Sequence, residues 1–295
     1  MNKQLKALLW PLVKIRRWHE NYLRRTNPEK LYSIWHKRAT GVYLNIDNPQ
    51  TLDEKIAYLS FRTDTSEWSR LADKVRVREY VEECGYGEYL PKLYGTWERT
   101  EDIDFDKLPS AFVIKTNNAS ATNILVRDKS KIDEGTVRKQ LDEWLKIDYG
   151  YLVCEPHYSR IKPLILAEEF LGLGSGKLLV DYKLYLINGA PRFVQVMSDR
   201  KENSHSFSVN MMDMDWTPHP EYCSKHHPQS DSIEKPRSLA KMIEIATRLS
   251  KDYPFVRVDF YEVEEKPVFG EMTFTPGFSS LNVEFQNKVG KELKI

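Results

Sequence analysis

The chain is 295 residues long, 41% hydrophobic and 29% charged, with a formal net charge of +1. That length and balance allow one large or two small globular domains with a substantial core, and the near-neutral charge excludes nucleic acid as the main partner. Three cysteines, Cys84, Cys154 and Cys223, stand far apart without a C-x-x-C pair, which argues for a reduced, cytoplasmic chain with no structural zinc.

No stretch approaches the roughly 20 apolar residues of a membrane span. The apolar run Ala7–Val13 is short, has polar flanks and lacks a small-residue cleavage site, so no signal peptide is expected. Residues 2–25 set Leu5, Leu8, Leu9, Leu12 and Val13 on one helical stripe among seven Lys or Arg. Such a helix suits either an anionic membrane surface or packing on the body, and Pro11 is expected to interrupt it. From Pro28 to Arg62 the pattern stays helical, with Thr51 as N-cap and Glu54 at the capping-box position of a new helix. Leu71–Val81 reads as one charged helix, in which Arg76 and Arg78 are set to pair with Glu79 and Glu82.

Ser110–Lys115 is a short buried strand, followed by the small polar loop Thr116–Asn123 and a second strand, Ile124–Val126. A strand, polar loop and strand of this kind form a flap whose N–H groups and hydroxyls cap phosphate. Residues 131–147 form an amphipathic helix, and Lys162–Leu171 is a strand running into a hinge. Gly172, Gly174 and Gly176 are followed by no helical pattern and so read as a hairpin turn, not a phosphate loop. Asp181–Tyr185 is a strand with Asp181 and Lys183 on one face, and Arg192–Arg200 is the next strand. Lys201–Arg237 is irregular. His219, His226 and His227 lie among prolines 218, 220 and 228, which keep them from converging on a metal and leave them facing solvent. Residues 238–251 form an amphipathic helix.

The last expected unit is a hairpin, Phe255–Phe260 and Pro267–Met272 around a turn at 262–266. Alternation puts Arg257 and Asp259 on one face, and Glu271 and Thr273 on one face of the return strand. If those faces meet, two carboxylates and a guanidinium converge, an arrangement suited to Mg²⁺ carrying phosphate oxygens. On spacing alone, a hairpin with one wet face and chance charges is an equal reading.

Arg257-x-Asp259 followed by Glu271-x-Thr273-x-x-Pro276-Gly277 resembles the metal-binding end of the ATP-grasp ligases. D-alanine:D-alanine ligases carry R-x-D and then E-x-N-x-x-P-G, so Thr273 stands where most relatives have Asn. Over most of its length the chain is similar to the teichuronopeptide-biosynthesis-type (TupA-like) subgroup of bacterial cell-surface polysaccharide clusters. The resemblance implies an α+β ATP-grasp fold with mostly antiparallel sheets clamping nucleotide. It divides the chain into a helical N-terminal region (1–70), a first lobe with the phosphate flap (71–166) and a second lobe with hinge and metal site (167–295).

ATP and Mg²⁺ are the implied cofactors, with Asp259, Glu271 and Thr273 on the metal. Lys74, Lys115, Asn117, Ser120 and Thr122 are implied on the phosphates, Glu168, Phe170 and Leu171 around adenine, and Asp181 on ribose. Arg257, Lys183 and Arg200 are the implied catalytic cations. Ala119 and Ala121 replace the flap's usual glycines, and alanine does not adopt positive φ cheaply, so a stiffer flap or a more weakly held nucleotide than in relatives is expected. The implied reaction forms an amide through an acyl phosphate. It joins an amino acid or amine to a uronic-acid carboxylate in capsule or surface-polysaccharide synthesis, in the cytoplasm or at the inner face of the membrane. A sugar kinase on the same fold, a glycosyltransferase or a non-catalytic nucleotide-binding partner compete with it and are separated by their products.

Overall fold

The protein is seen in a computed structural model that describes residues 3–172, 178–200, 206–224, 227–278 and 280–295. Gly174, Gly176 and His226 lie outside the described residues, as do the side chains of Leu5, Leu8, Leu9 and Leu12. Five helices come first: α1 (Lys3–Thr26), α2 (Pro28–Thr40), α3 (Leu52–Arg62), α4 (Ser66–Ala72) and α5 (Arg76–Glu83). Next are β1 (Leu93–Trp97), β2 (Phe112–Thr116), β3 (Asn123–Val126), α6 (Glu134–Leu145), α7 (Tyr149–Val153) and β4 (Ile165–Glu169). The remainder is β5 (Asp181–Ile187), β6 (Ala190–Ser198), β7 (Ser208–Met212), α8 (Leu239–Ser250), β8 (Phe255–Val263), β9 (Lys266–Thr273) and α9 (Val283–Glu292).

Local chemistry accounts for several of these boundaries. Thr51 Oγ1 accepts from the Glu54 amide at 3.2 Å while Glu54 accepts from the Thr51 amide at 2.9 Å, the capping box that the spacing predicts for α3. Pro11 does not interrupt α1, because a proline removes one hydrogen bond while the turns on either side persist. The charged helix expected over 71–81 is instead two helices. Asp73 stops α4 and opens α5, its Oδ1 accepting from the Val75 amide at 2.8 Å and the Arg76 amide at 3.3 Å, so Asp73 and Lys74 occupy the break. Arg78 does not pair with Glu79; it donates to the Pro91 carbonyl at 2.6 Å. Among the described residues no helix is long and apolar enough to cross a membrane, and all three cysteines are free thiols.

The first sheet has the order β1-β4-β2-β3 and the second β7-β6-β5-β8-β9, with every pairing antiparallel. Alternation in β2 sends Phe112 and Ile114 into a core with Val137 and Leu141 of α6, and turns Val113 and Lys115 to the other face. Strand β4 crosses the expected lobe boundary at 166/167 and belongs by hydrogen bonding to the first sheet. The second sheet packs Leu184, Val194, Val196, Val256 and Val258 with Met242, Ile245, Ala246 and Leu249 of α8, in a core that also takes in α3, α4 and α5. Strand β7, inside the region expected to be irregular, pairs with β6. His219 is not turned freely to solvent; it pairs with Glu221 at 2.7 Å and Asp213 at 3.3 Å and stacks on Tyr222.

Candidate active site

The hairpin β8–β9 turns at Glu264–Glu265, both left-handed with φ of 50° and 64°, a tighter connection than the expected turn over 262–266. Its register is set by a bulge. Phe260 faces Phe269 and Asp259 faces Glu271, so Gly270 is the extra residue on the return strand. Without it Asp259 would face Gly270, and Glu271 would lie opposite apolar Val258. A Cβ at position 270 would come within 3.1 Å of the Asp259 carbonyl oxygen, tighter than an ordinary contact, so a side chain there would press on the Asp259 backbone.

The result is two rows of side chains on one face. Lys183 of β5, Asp259 of β8 and Glu271 of β9 are opposed in register, and the adjacent row is Tyr185, Arg257 and Thr273. Arg257 binds both Asp259 oxygens, Nε to Oδ1 at 2.6 Å and Nη2 to Oδ2 at 2.7 Å, and its Nη2 reaches Glu271 Oε1 and Thr273 Oγ1 at 3.0 Å each. Lys183 Nζ pairs with Asp259 Oδ2. Asp259 keeps 6% of its side-chain surface exposed and Glu271 41%, so the second carboxylate is the one open to the cleft. Burial raises the Glu271 pKa, but Arg257, Lys183 and Lys74 outweigh it and hold the carboxyl down at about 2. Burial likewise works against the Arg257 charge, and Asp259, Tyr185 and Glu271 overcome it and raise its pKa.

Over this row opens a cleft of about 430 Å³, walled by Val113, Lys115, Leu125 and Glu168 of the first sheet, Phe170 and Leu171 after it, and Lys183, Tyr261 and Glu271 of the second. Volume and mixed lining are those of a small-molecule site. Lys115 pairs with Glu168 across the first sheet. Lys74 enters from the α4–α5 break, donates to the Ala119 carbonyl at 2.6 Å and feels Glu271 and Glu168. Burial depresses its pKa, Lys115 adds to the fall, and the acids oppose it. Ser120 and Ala121 are exposed at the flap tip and line the cleft. Phe170 is buried beneath the Arg127 guanidinium, 4.9 Å from the ring centre. The Glu169 N–H is committed to the Lys92 carbonyl at 2.9 Å, so the hinge begins at Phe170.

Of the candidate residues, Asn117 stands away from the cleft, whereas Thr122, Asp181 and Arg200 line it with polar atoms already engaged by the protein. Asn117 does not face the cleft: it is fully buried, donates to Asp73 Oδ1 at 2.8 Å and accepts from the Leu164 amide at 2.7 Å, pinning the flap base to the α4–α5 break. Thr122 lines the cleft, but its hydroxyl accepts from Thr116 at 2.9 Å and donates inside the flap. Asp181 is buried and ion-paired with Arg200 at 2.9 Å and Lys183 at 3.7 Å, and burial raises its pKa against those two cations. Arg200 lines the cleft and also donates to the Leu179 carbonyl at 2.7 Å, so it carries the salt bridge that a strand-end arginine allows as readily as an acceptor contact. Sequence reasoning missed Tyr261, which alternation from Arg257 and Asp259 places on the same face, and Arg127, whose ring contact leaves no sequence signal.

No three Asp, Glu, His or Cys side chains among the described residues converge on a metal position. The Asp259–Glu271 pair nevertheless fits Mg²⁺, which takes one or two carboxylates and completes its shell with water and phosphate oxygens. Both acids already draw positive charge, Asp259 from Lys183 and Arg257 and Glu271 from Arg257.

No curated protein matches the chain. Among solved structures, it is similar to the D-alanine–D-alanine ligase from Bacillus anthracis complexed with ATP at 13% identity and a TM-score of 0.43, covering 85% of this chain and 73% of that one. The D-alanine–D-alanine ligase from Helicobacter pylori aligns at 14% identity and 0.43, over 82% and 69% of the two chains. The L-amino acid ligase from Bacillus licheniformis aligns at 13% identity and 0.44, over 76% of this chain and 46% of that one. The model of the TupA-like ATP-grasp family matches residues 54–294, from the first turn of α3 through α9, and the chain therefore belongs to that family.

Proposed function

We propose that the chain is an ATP-dependent carboxylate–amine ligase of bacterial capsule or cell-surface polysaccharide synthesis, joining an amino acid or other amine to a uronic-acid carboxylate. The observation that carries this reading is the row Lys183–Asp259–Glu271 beneath a cleft walled by Lys74 and Lys115. Mg²⁺ held by Asp259 and Glu271 would neutralise phosphate charge and orient the γ-phosphate. Lys74, Lys115 and Lys183 place further positive charge in the cleft, Arg257 holds the two acids from behind, and Val113, Leu125, Phe170 and Leu171 offer the apolar slot for a base. An acceptor carboxylate attacks the γ-phosphate and ADP leaves. An amine then attacks the acyl phosphate and phosphate leaves. No nucleophilic side chain is required, because positioning and charge neutralisation do the chemistry. The uronic acid in this proposal rests on the similarity to the polysaccharide-cluster subgroup.

The test is ATP turnover with D-glucuronate or D-galacturonate and a panel of amino acids, with and without Mg²⁺. ADP and phosphate formed only when carboxylate and amine are both present support the ligase. ADP with a phosphorylated sugar supports a kinase, and binding without turnover a non-catalytic partner. Asp259→Asn is expected to lower turnover at least about 100-fold, and a variant that turns over MgATP normally defeats the proposal.

The same reading sets the enzyme in the cytoplasm, against the inner face of the membrane. Helix α1 supports it: Trp10, Trp18 and Tyr22 are 52%, 69% and 53% exposed on a helix bearing seven Lys or Arg against a single Glu. Aromatic and cationic side chains together suit the headgroup layer of an anionic bilayer. Phosphatidylglycerol vesicles are expected to float the protein and phosphatidylcholine vesicles to leave it behind, with Trp18→Ser reducing flotation. Equal behaviour with both lipids removes the membrane from the proposal.

A further inference from the structure

Just past the acidic end of the cleft stand side chains with no part in the nucleotide site. Glu155 follows Cys154, which takes φ of 58° at the C-terminal end of α7. The turn is tightly packed: a Cβ on Gly150 would lie 2.6 Å from the Glu155 carbonyl oxygen and 2.4 Å from the Ser159 amide nitrogen. The Glu155 carboxylate accepts the Thr275 hydroxyl at 2.6 Å. Thr275 lies two residues beyond Thr273 and four beyond Glu271, so this bond ties Glu155 to the strand that carries the second acid of the row.

Two phenols fill the space between. Tyr149 and Tyr158 meet edge to face, ring centres 5.2 Å apart, and both feel Glu155 on one side and Glu271 on the other. Tyr149 also lies within hydrogen-bonding reach of Ser120 at the flap tip. Glu155, Tyr149 and Tyr158 each keep part of their surface exposed.

The charges here are unbalanced. Glu168 is paired with Lys115, Asp181 with Arg200, and Asp259 and Glu271 with Arg257. Among the described residues no Lys, Arg or His lies within ion-pair distance of Glu155, whose hydrogen-bond partner is a neutral hydroxyl. A carboxylate in that setting, flanked by ring faces, favours an incoming ammonium by Coulomb and cation–π attraction together.

We propose that Glu155, Thr275 and the Tyr149–Tyr158 pair form the subsite that receives the amine substrate as an ammonium, with Glu155 taking its proton before attack. This deepens the ligase reading and rests on it. The ammonium gives one proton to the Glu155 carboxylate. The freed lone pair forms the C–N bond at the carbonyl carbon of the acyl phosphate, and the C–O bond to phosphate breaks. Phosphate leaves with that electron pair and takes the second nitrogen proton. Burial pushes the Glu155 carboxyl up to about 7 against the pull of Thr275 and Arg257, which suits a base near neutral pH.

The experiment compares two nucleophiles on the full chain with MgATP and D-glucuronate. Hydroxylamine is largely uncharged at neutral pH and needs no deprotonation, whereas L-alanine arrives as an ammonium. Glu155→Gln is expected to lower the ratio of amide to hydroxamate formed at least about tenfold, and Glu155→Asp to restore part of it. An unchanged ratio overturns the proposal, whether both rates fall together or neither falls. Should the wild type form neither ADP nor hydroxamate, the ligase reading fails separately. Calorimetric binding of L-alanine to the protein loaded with Mg²⁺ and a non-hydrolysable ATP analogue then decides the subsite. Weakening of about tenfold or more in Glu155→Gln supports it and equal affinity overturns it.

Discussion

Ala121 holds φ of 59° at the flap tip, a left-handed conformation that costs an L-residue roughly 1–2 kcal/mol and a glycine almost nothing. Alanine thus meets its positive-φ cost at this residue. Ala119 is buried and spends its carbonyl on Lys74. Ala121→Gly releases the strain but adds unfolded-chain entropy, so the expected net gain is under about 1 kcal/mol, a rise of about 1–3 °C in thermal midpoint. An unchanged or lower midpoint contradicts it. His157 presents a different cost. It is fully buried against Trp68 and Tyr158, neither ring nitrogen finds a hydrogen-bond partner among the described residues, and burial pushes its pKa down to about 3. With the folded value below the unfolded 6.5, stability is complete above about pH 6.5 and drains as pH falls toward 3. His157→Phe is expected to stabilise by about 1–3 kcal/mol at pH 7 and to flatten that acid limb, read from denaturant midpoints at pH 7 and pH 4.5. An acid limb as steep as in the parent rules it out. Residue positions were legible where alternation alone decides the face, as for Arg257 and Asp259. They were illegible for Asn117, whose type and loop position suit a phosphate but whose amide closes a buried network with Asp73.

At the scale of elements, faces were readable and register was not. The pattern of β8 and β9 says which side chains share a face, but the match of Glu271 to Asp259 depends on one extra residue, and a lone glycine in a strand does not announce which partner it skips. Gly270→Val is expected to cost about 1–3 kcal/mol and to lower Mg²⁺-dependent ATP turnover, with the far-ultraviolet circular dichroism retained. Full activity in that variant shows the bulge to be dispensable. Elements that escaped notice share a physical reason. Strand β1 carries a glycine at its register shift, and β7 is buried on both faces with Ser208 and Asn210 inside, so neither alternates. Helix α9 holds Gly290 in its interior, a poor helix former, because a Cβ there would stand 2.3 Å from the Gln50 carbonyl oxygen.

Over the whole molecule, periodicity gave the order of most helices and strands, while what packs on what was not legible. Helices α3 to α5 precede the first sheet in the chain but share the core of the second. The link that secures them is polar and remote. Asp53 pairs with His36 Nε2 at 3.1 Å, its amide donates to Gln286 Oε1 at 3.0 Å, and the Gln286 side-chain nitrogen donates back to its carboxylate, all buried. Gln286→Ala leaves that carboxylate short of a donor and is expected to cost about 2–3 kcal/mol, with faster proteolytic release of residues 3–62 than of the sheets. Simultaneous loss of both shows the helical layer to be inseparable from the rest.

That same clasp joins positions 233 residues apart. On the ribosome, α3 emerges long before α9 exists to latch it, so its capped but unanchored turns must wait, apolar face uncovered, through synthesis of both sheets. A translational pause ahead of residue 283 would prolong that exposure, and crowded or chaperone-poor cells would feel it first as misassembly of nascent chains.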